Sequence, residues 1–159
     1  MSNSDSTRRE QAQPQGGTQI PSQHHDFLAH HSKGVLVTLK RDGRPQLSNV
    51  LYDYDRDTST ARVSVTADRA KTRNAERDPR VSLHVSSDDF WAYVVADGEA
   101  VLGETVRDPH DAAADELVDL YRALAGEHDA WEKYRQVQVA ERRLVLTLKI
   151  SHTYGMVPR

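Results

Sequence analysis

No cysteine occurs among the 159 residues. Disulfides, thiolate nucleophiles and zinc–thiolate centres are thereby excluded together, which suits a reducing compartment. No window approaches about 18 consecutive apolar residues, and the charged start MSNSDSTRREQAQPQGGTQ has no apolar segment behind it. Neither a membrane span nor a secretory signal is expected, and the expected location is cytoplasmic. A surplus of positive charge is also missing, since 21 Lys and Arg stand against 24 Asp and Glu for a net charge of −3. Binding to nucleic acid draws on counterion release across an extended basic surface, so it is not expected, and any anion site has to be local. G-x-G-x-x-G, G-x-x-x-x-G-K-[ST] and G-x-S-x-G are all absent. That counts against a dinucleotide fold, a P-loop and a hydrolase elbow, and it leaves nucleophilic catalysis without an obvious carrier.

What is present divides into two parts. Residues 1–22 are Ser, Gln, Gly, Pro and charge with hardly an aliphatic side chain. Such a composition buries too little surface to offset the entropy of ordering, so a disordered tail is expected there and a single folded domain over 23–159. The domain opens with HHDFLAHHSKG, read as a short helix packing Phe27 and Leu28 and stopped at Gly34 by a left-handed residue. GVLVTLK and QLSNVLYDY flank an Asp-Gly turn as a hairpin. ARVSVTA sets Val63 and Val65 against Ser64 and Thr66 on opposite faces, and RVSLHVS turns Val81, Leu83 and Val85 one way. FWAYVVADGEAVLGE is either a hairpin about Asp97-Gly98 or one bent strand with a bulge. Asp108-Pro109 reads as the start of a helix carrying Leu117, Leu120, Tyr121 and Leu124, followed by a second helix over about 128–140. RRLVLTLKIS closes the set as a strand buried on both sides. Helices confined to three insertions do not follow the strand-helix-strand rhythm of a parallel sheet. The expected class is mainly β with short helices, a six-stranded antiparallel barrel.

The chemistry concentrates in DRAKTRNAERDPR, residues 68–80, where Arg69, Lys71 and Arg73 alternate at the expected start of a short helix. A helix amino terminus offers unpaired N–H groups and partial positive charge, so Lys71, Thr72 and their amides are suited to a phosphate. The competing reading is a solvated helix face beside Glu76 and Asp78. Gln46 and Ser48 share one face of their strand, with Asn49 on the other, and form a weaker polar cluster. His24, His25, His30 and His31 lack the i, i+4 spacing that a helical metal site prefers, and no metal site is expected. His84 reads as solvent face, and Trp91 as a core or interface aromatic that gains interest only beside a flat ligand.

Five segments in order, GVLVTLKRDGRPQLSNV, RAKTRNAERDPRVSLHV, WAYVVADGEAVL, LYRALAGEHDAWEKYRQ and LTLKISHTYG, resemble the pyridoxamine-phosphate-oxidase-like split β-barrel proteins, in particular the flavin/deazaflavin oxidoreductases that use coenzyme F(420). The resemblance covers about residues 24–156, and the R-x-K-x-R-N box is its most specific part. It implies an FMN-binding-like split barrel and a homodimer with the cofactor at the subunit interface. It further implies a hydride transfer between the reduced deazaflavin and a conjugated C=C or C=N bond of a small-molecule substrate. Carried over by position, Arg69, Lys71 and Thr72 would hold the cofactor phosphate with the backbone of Ala70. Ser64, Val65 and Thr66 would line the ring system together with Gln46, Ser48, Asn49 and Val50. Arg44 would meet an acidic cofactor tail, and Trp91 would approach from the partner subunit. The closing SHTYGMVPR lacks the Arg-x-His pair of the vitamin B6 phosphate oxidases, so that activity is not expected. FMN shares the ribityl phosphate and stays an alternative cofactor, and a non-catalytic deazaflavin or tetrapyrrole carrier is the other alternative.

Overall fold

A computed structural model describes residues 19–158. Most of the stretch expected to be a tail, residues 1–18, lies outside the described residues. The last part of that stretch is built in: Ile20 is buried in the core, and the first helix, α1, spans Ser22–His30. The order continues β1 (Lys33–Leu39), β2 (Pro45–Leu51), β3 (Asp53–Asp55), β4 (Thr60–Thr66), α2 (Ala70–Arg77), β5 (Arg80–Ser86), β6 (Tyr93–Leu102), α3 (Ala112–Ala125), α4 (Trp131–Ala140) and β7 (Arg143–Met156). Among the described residues no helix is long and apolar enough to cross a membrane.

The seven strands form one antiparallel sheet in the order β2-β1-β5-β6-β7-β4-β3, curled into a half-barrel. Seven rather than the expected six strands result because QLSNVLYDY is not one strand. Its first part pairs with β1 and its last with β4, and the chain crosses between them at Tyr52. Tyr52 is fully buried, its N–H donates to the Ser32 carbonyl (2.8 Å) and its hydroxyl donates to the Leu28 carbonyl (2.7 Å). The two edge strands of the sheet are therefore consecutive in the chain, and the half-barrel is drawn together at this one residue.

Period-2 alternation sets the core. Leu36, Val63, Val65, Val81, Leu83, Val85, Val94, Leu144, Leu146 and Leu148 fill the concave side, where burial of each aliphatic side chain contributes about 1.5–3 kcal/mol. The convex side is different. The register places Leu47 and Leu51 beside Val35 and Val37, then His84, then Tyr93 and Val95, then Tyr154 and Met156 on that one face. Leu47 (59%), Leu51 (54%) and Met156 (65%) are all largely exposed.

Two local expectations change, and one open alternative is decided. Gly34 does not end α1, which stops at His31 in extended backbone; Gly34 lies within β1. A side chain there would come within 2.9 Å of Leu83 Cδ1 and 3.0 Å of the His84 carbonyl oxygen, so close packing explains it. The helix expected from Asp108 begins three residues later, with Asp111 as its cap accepting the Ala114 N–H (2.8 Å) and also those of Arg107 and Asp108. The segment around Asp97-Gly98 is one strand with a bulge rather than a hairpin. At Gly98 a Cβ would stand 1.9 Å from the Lys149 carbonyl oxygen, which only glycine avoids.

Candidate functional site

The corner between β4 and α2 is built by its own backbone. Arg69 N–H donates to the Thr66 carbonyl (3.2 Å), and the Thr72 and Arg73 N–H groups both donate to the Arg69 carbonyl (3.1 Å each). Thr72 is buried, and its hydroxyl donates to the Thr66 carbonyl at 2.7 Å. Farther along the helix, Asn74 donates to the Thr38 hydroxyl (3.2 Å), and Arg77 donates to the Leu39 carbonyl (2.7 Å), so α2 is pinned to β1. No side chain caps the amino terminus of α2, and among the described residues the amides of Ala70 and Lys71 have no acceptor.

Lys71 is half-buried at this terminus. Burial, and then the neighbouring Arg69 and Arg143, hold its ammonium below the usual lysine range. Among the described residues, Arg69, Lys71 and Arg73 form no ion pair. Cations that crowd one another, with only Arg143 paired to a carboxylate, favour an incoming anion.

Lys71 opens onto a cavity of about 410 Å³ at the split of the half-barrel, with Asn49, Val50 and Leu51 of β2 on one side and Ser64 of β4 on the other. Helices α3 and α4 close it with Leu120, Tyr121, Leu124 and Tyr134. The Tyr134 hydroxyl donates to the Leu117 carbonyl (3.1 Å), and burial raises its pKa, so it stays a proton-bearing group. Gln138 is tied to the Tyr134 carbonyl (3.1 Å). Arg143, at the start of β7, points Nη1 toward Ser64 Oγ (3.4 Å) while its Nε donates to Glu141 (2.6 Å). An apolar and aromatic wall facing a cationic end suits a ligand with a flat body and an anionic group.

The structure brings Asn49, Val50, Ser64 and Lys71 together on this cavity. Arg69 and Ala70 flank it at the helix terminus. Val65 turns its side chain into the core, so it can offer only backbone. Thr66 supplies the carbonyl that holds the corner, and Thr72 spends its proton on it. Gln46 accepts from Thr38 (3.1 Å) and donates to Ser48 (2.9 Å), so both serve the hairpin they stand on. Arg44 is exposed in the β1–β2 turn. Trp91, 82% exposed, lines a separate hollow with Phe27 and Met156. The histidines of α1 are engaged elsewhere: His24 with Thr153 (2.7 Å), His25 with Tyr54, His30 and His31 with backbone carbonyls one turn back. Sequence reasoning missed Arg143, Glu141 and Gln138 as site residues and read Tyr134 only as part of a helix. The sole signal was a pair of arginines before an apolar run, which carries no local code.

The family model described as pyridoxamine 5'-phosphate oxidase matches residues 20–156. Among solved structures, an F(420) reductase is similar at 20% identity over 85% of this chain and 98% of its own, with a TM-score of 0.64. A conserved hypothetical protein from Mycobacterium tuberculosis is similar at 20% identity over 90% and 91%, TM-score 0.65. The heme storage protein from Vibrio cholerae is similar at 14% identity over 86% and 94%, TM-score 0.62. At these identities the shared property is the fold.

Proposed function

The chain belongs to the pyridoxamine 5'-phosphate oxidase family, and on that premise we propose that it is a coenzyme F(420)-dependent oxidoreductase acting on a conjugated C=C or C=N bond of a small molecule. One observation carries the reading: Lys71, half-buried near Arg69 and Arg143, forms no ion pair among the described residues and lines a cavity of about 410 Å³ whose carboxylate, Glu141, is taken by Arg143. Bound there, the deazaflavin supplies two-electron hydride chemistry. Lys71, Arg69 and the free amides of Ala70 and Lys71 hold its phosphate, and Asn49, Val50 and Ser64 lie along the ring. Leu120, Tyr121 and Leu124 exclude water from that contact, and orientation of this kind is worth about 7–11 kcal/mol of barrier.

The same reading includes a homodimer. Leu47, Leu51, Tyr154 and Met156 expose apolar surface on one face of the sheet, and Phe90 (79% exposed) and Trp91 project from the β5–β6 turn. A stable pair buries about 800 Å² on each partner, and such a face offers the material for it. Sedimentation should give twice the monomer mass.

The test is direct titration of the purified protein with coenzyme F(420) and with FMN. Tight binding of the deazaflavin, followed by its oxidation in the presence of enones or quinones, is the expected result; affinity for FMN alone would replace the cofactor in this reading. A carrier without turnover is the second reading, supported by the heme storage protein among the similar folds. Tetrapyrrole binding with no acceptor reduced would favour it.

A further inference from the structure

Among the described residues five polar side chains are buried: Thr38, Thr72, Asn74, Gln138 and Thr153. Four of them are engaged inside the fold. Thr38 lies between Gln46 and Asn74, Thr72 donates to the Thr66 carbonyl, and Thr153 bonds to His24. Asn74 is a carboxamide like Gln138, and both of its ends are used: Nδ2 donates to the Thr38 hydroxyl (3.2 Å), and Oδ1 accepts from Arg77 (3.1 Å). Gln138 uses only one. Its Nε2 donates to the Tyr134 carbonyl (3.1 Å), while its Oε1 has no partner among the described residues. The amide cannot be turned round, since a carbonyl only accepts and has to face the NH2 end.

Gln138 is 5% exposed and lines the cationic cavity from α4. Among the described residues no side-chain N or O atom is sealed from solvent without a partner, so Oε1 keeps what access it has, and that access is the cavity. An acceptor held in this way has given up most of its hydration and is satisfied only when a donor arrives. Its polar neighbours on the lining are already committed. The Tyr134 hydroxyl donates to the Leu117 carbonyl, and Arg143 is bonded to Glu141 and directed at Ser64.

We infer that Gln138 is the specificity-determining residue of this cavity: its Oε1 accepts from an N–H on the edge of the ligand's planar body. The cavity then reads two features of one ligand, an anion at Lys71 and an edge donor at Gln138. A site built around a fixed acceptor rejects an analogue that lacks the matching N–H, because the acceptor is left unpaired. A flavin or a deazaflavin carries both features, a phosphate and the imide N–H of its pyrimidinedione ring. In that identity alone the inference rests on the cofactor reading. A tetrapyrrole whose ring nitrogens are all bound to a metal has no such donor and is selected against.

The full-length protein is titrated, with no acceptor substrate present, with FMN and its N3-methyl derivative, and likewise with coenzyme F(420) and its N-methylated imide, followed by ring fluorescence and calorimetry. The unaltered protein should bind each methylated compound about tenfold more weakly than its parent, the scale of one buried hydrogen bond. This comparison needs no variant to fold. Gln138→Met, close in size but without the carbonyl, should weaken the parent about tenfold and leave the methylated compound where it was, so the preference disappears. Lys71→Ala should weaken both compounds alike and keep the preference, which separates the two ends of the cavity. If Gln138→Met weakened parent and methylated ligand equally, or weakened neither, the inference would be overturned while the cofactor reading stood. Binding of neither FMN nor the deazaflavin would overturn both.

Discussion

Two short helices of nearly equal length, α1 with nine residues and α2 with eight, each carry a cluster of titratable groups. In both, burial is the leading cause that pushes a cationic group's pKa down, for His24 and His25 in the first and Lys71 in the second. Their partners differ. The α1 rings are bonded to Thr153, Tyr54 and two backbone carbonyls, and Asp26 pairs with Arg56. At α2 the cations Arg69, Lys71 and Arg73 form no ion pair among the described residues. A polar group already satisfied by the fold is structural, and one left unsatisfied beside a cavity is available to a ligand. Density of ionisable residues does not separate these cases; partners do.

The comparison breaks most sharply in opposite substitutions. Leu28→Ala empties a fully buried position under α1 and should cost about 2–5 kcal/mol of stability with little change in cofactor affinity. Denaturant unfolding beside a binding titration reads both. Lys71→Ala should do the reverse: cofactor affinity falls by about 1.5–3 kcal/mol, one hydrogen bond to a charged group, and the unfolding midpoint holds. An unchanged dissociation constant would remove Lys71 from the phosphate site. A smaller effect is expected at Glu141, which occupies Arg143 at the cavity edge. Glu141→Gln frees that guanidinium and removes a negative charge, so anion affinity should rise by roughly 0.2–1 kcal/mol, the scale of a partly exposed pair. A weaker affinity in this variant would show that Glu141 positions Arg143 rather than competing for it.

The strands and α2 were legible because alternation and the Arg-x-Lys-x-Arg-Asn box are local signals. Val63 and Val65 against Ser64 and Thr66 separate in the structure as period 2 requires, with the valines buried. The crossing at Tyr52 was not legible, because an aromatic inside YDY reads as continued strand, and only its bonds to Ser32 and Leu28 turn the chain. Arg143 was missed for the same reason. It reaches the cavity by the β4–β7 register, which sets Thr66 opposite it across 77 positions of sequence, and nothing in its neighbours announces that. The cationic half of the candidate site was therefore readable from one segment, while its second half depends on a pairing between distant strands.

The smallest expected effect is on pH dependence, and there the two helices should part again. His24 and His25 have folded pKa values below the ordinary 6.5, because burial opposes their charged form. Above 6.5 both states are neutral and nothing is lost. As pH falls from about 6.5 through the lowered folded values, the unfolded chain takes up protons first, so stability declines and then levels off. For Lys71 the window lies on the alkaline side, between its lowered folded value and the ordinary 10.5. There the folded state has already released its proton, so stability rises with pH, while affinity for a phosphate falls as the ammonium disappears. Melting temperatures should thus drop mildly on acidification, and the His24→Gln, His25→Gln double variant should flatten that limb. Cofactor affinity should fall on the alkaline side, and Lys71→Met should flatten that one. If the alkaline fall persisted in Lys71→Met, some other group would be holding the anion, and the difference between the two helices would no longer mark the site.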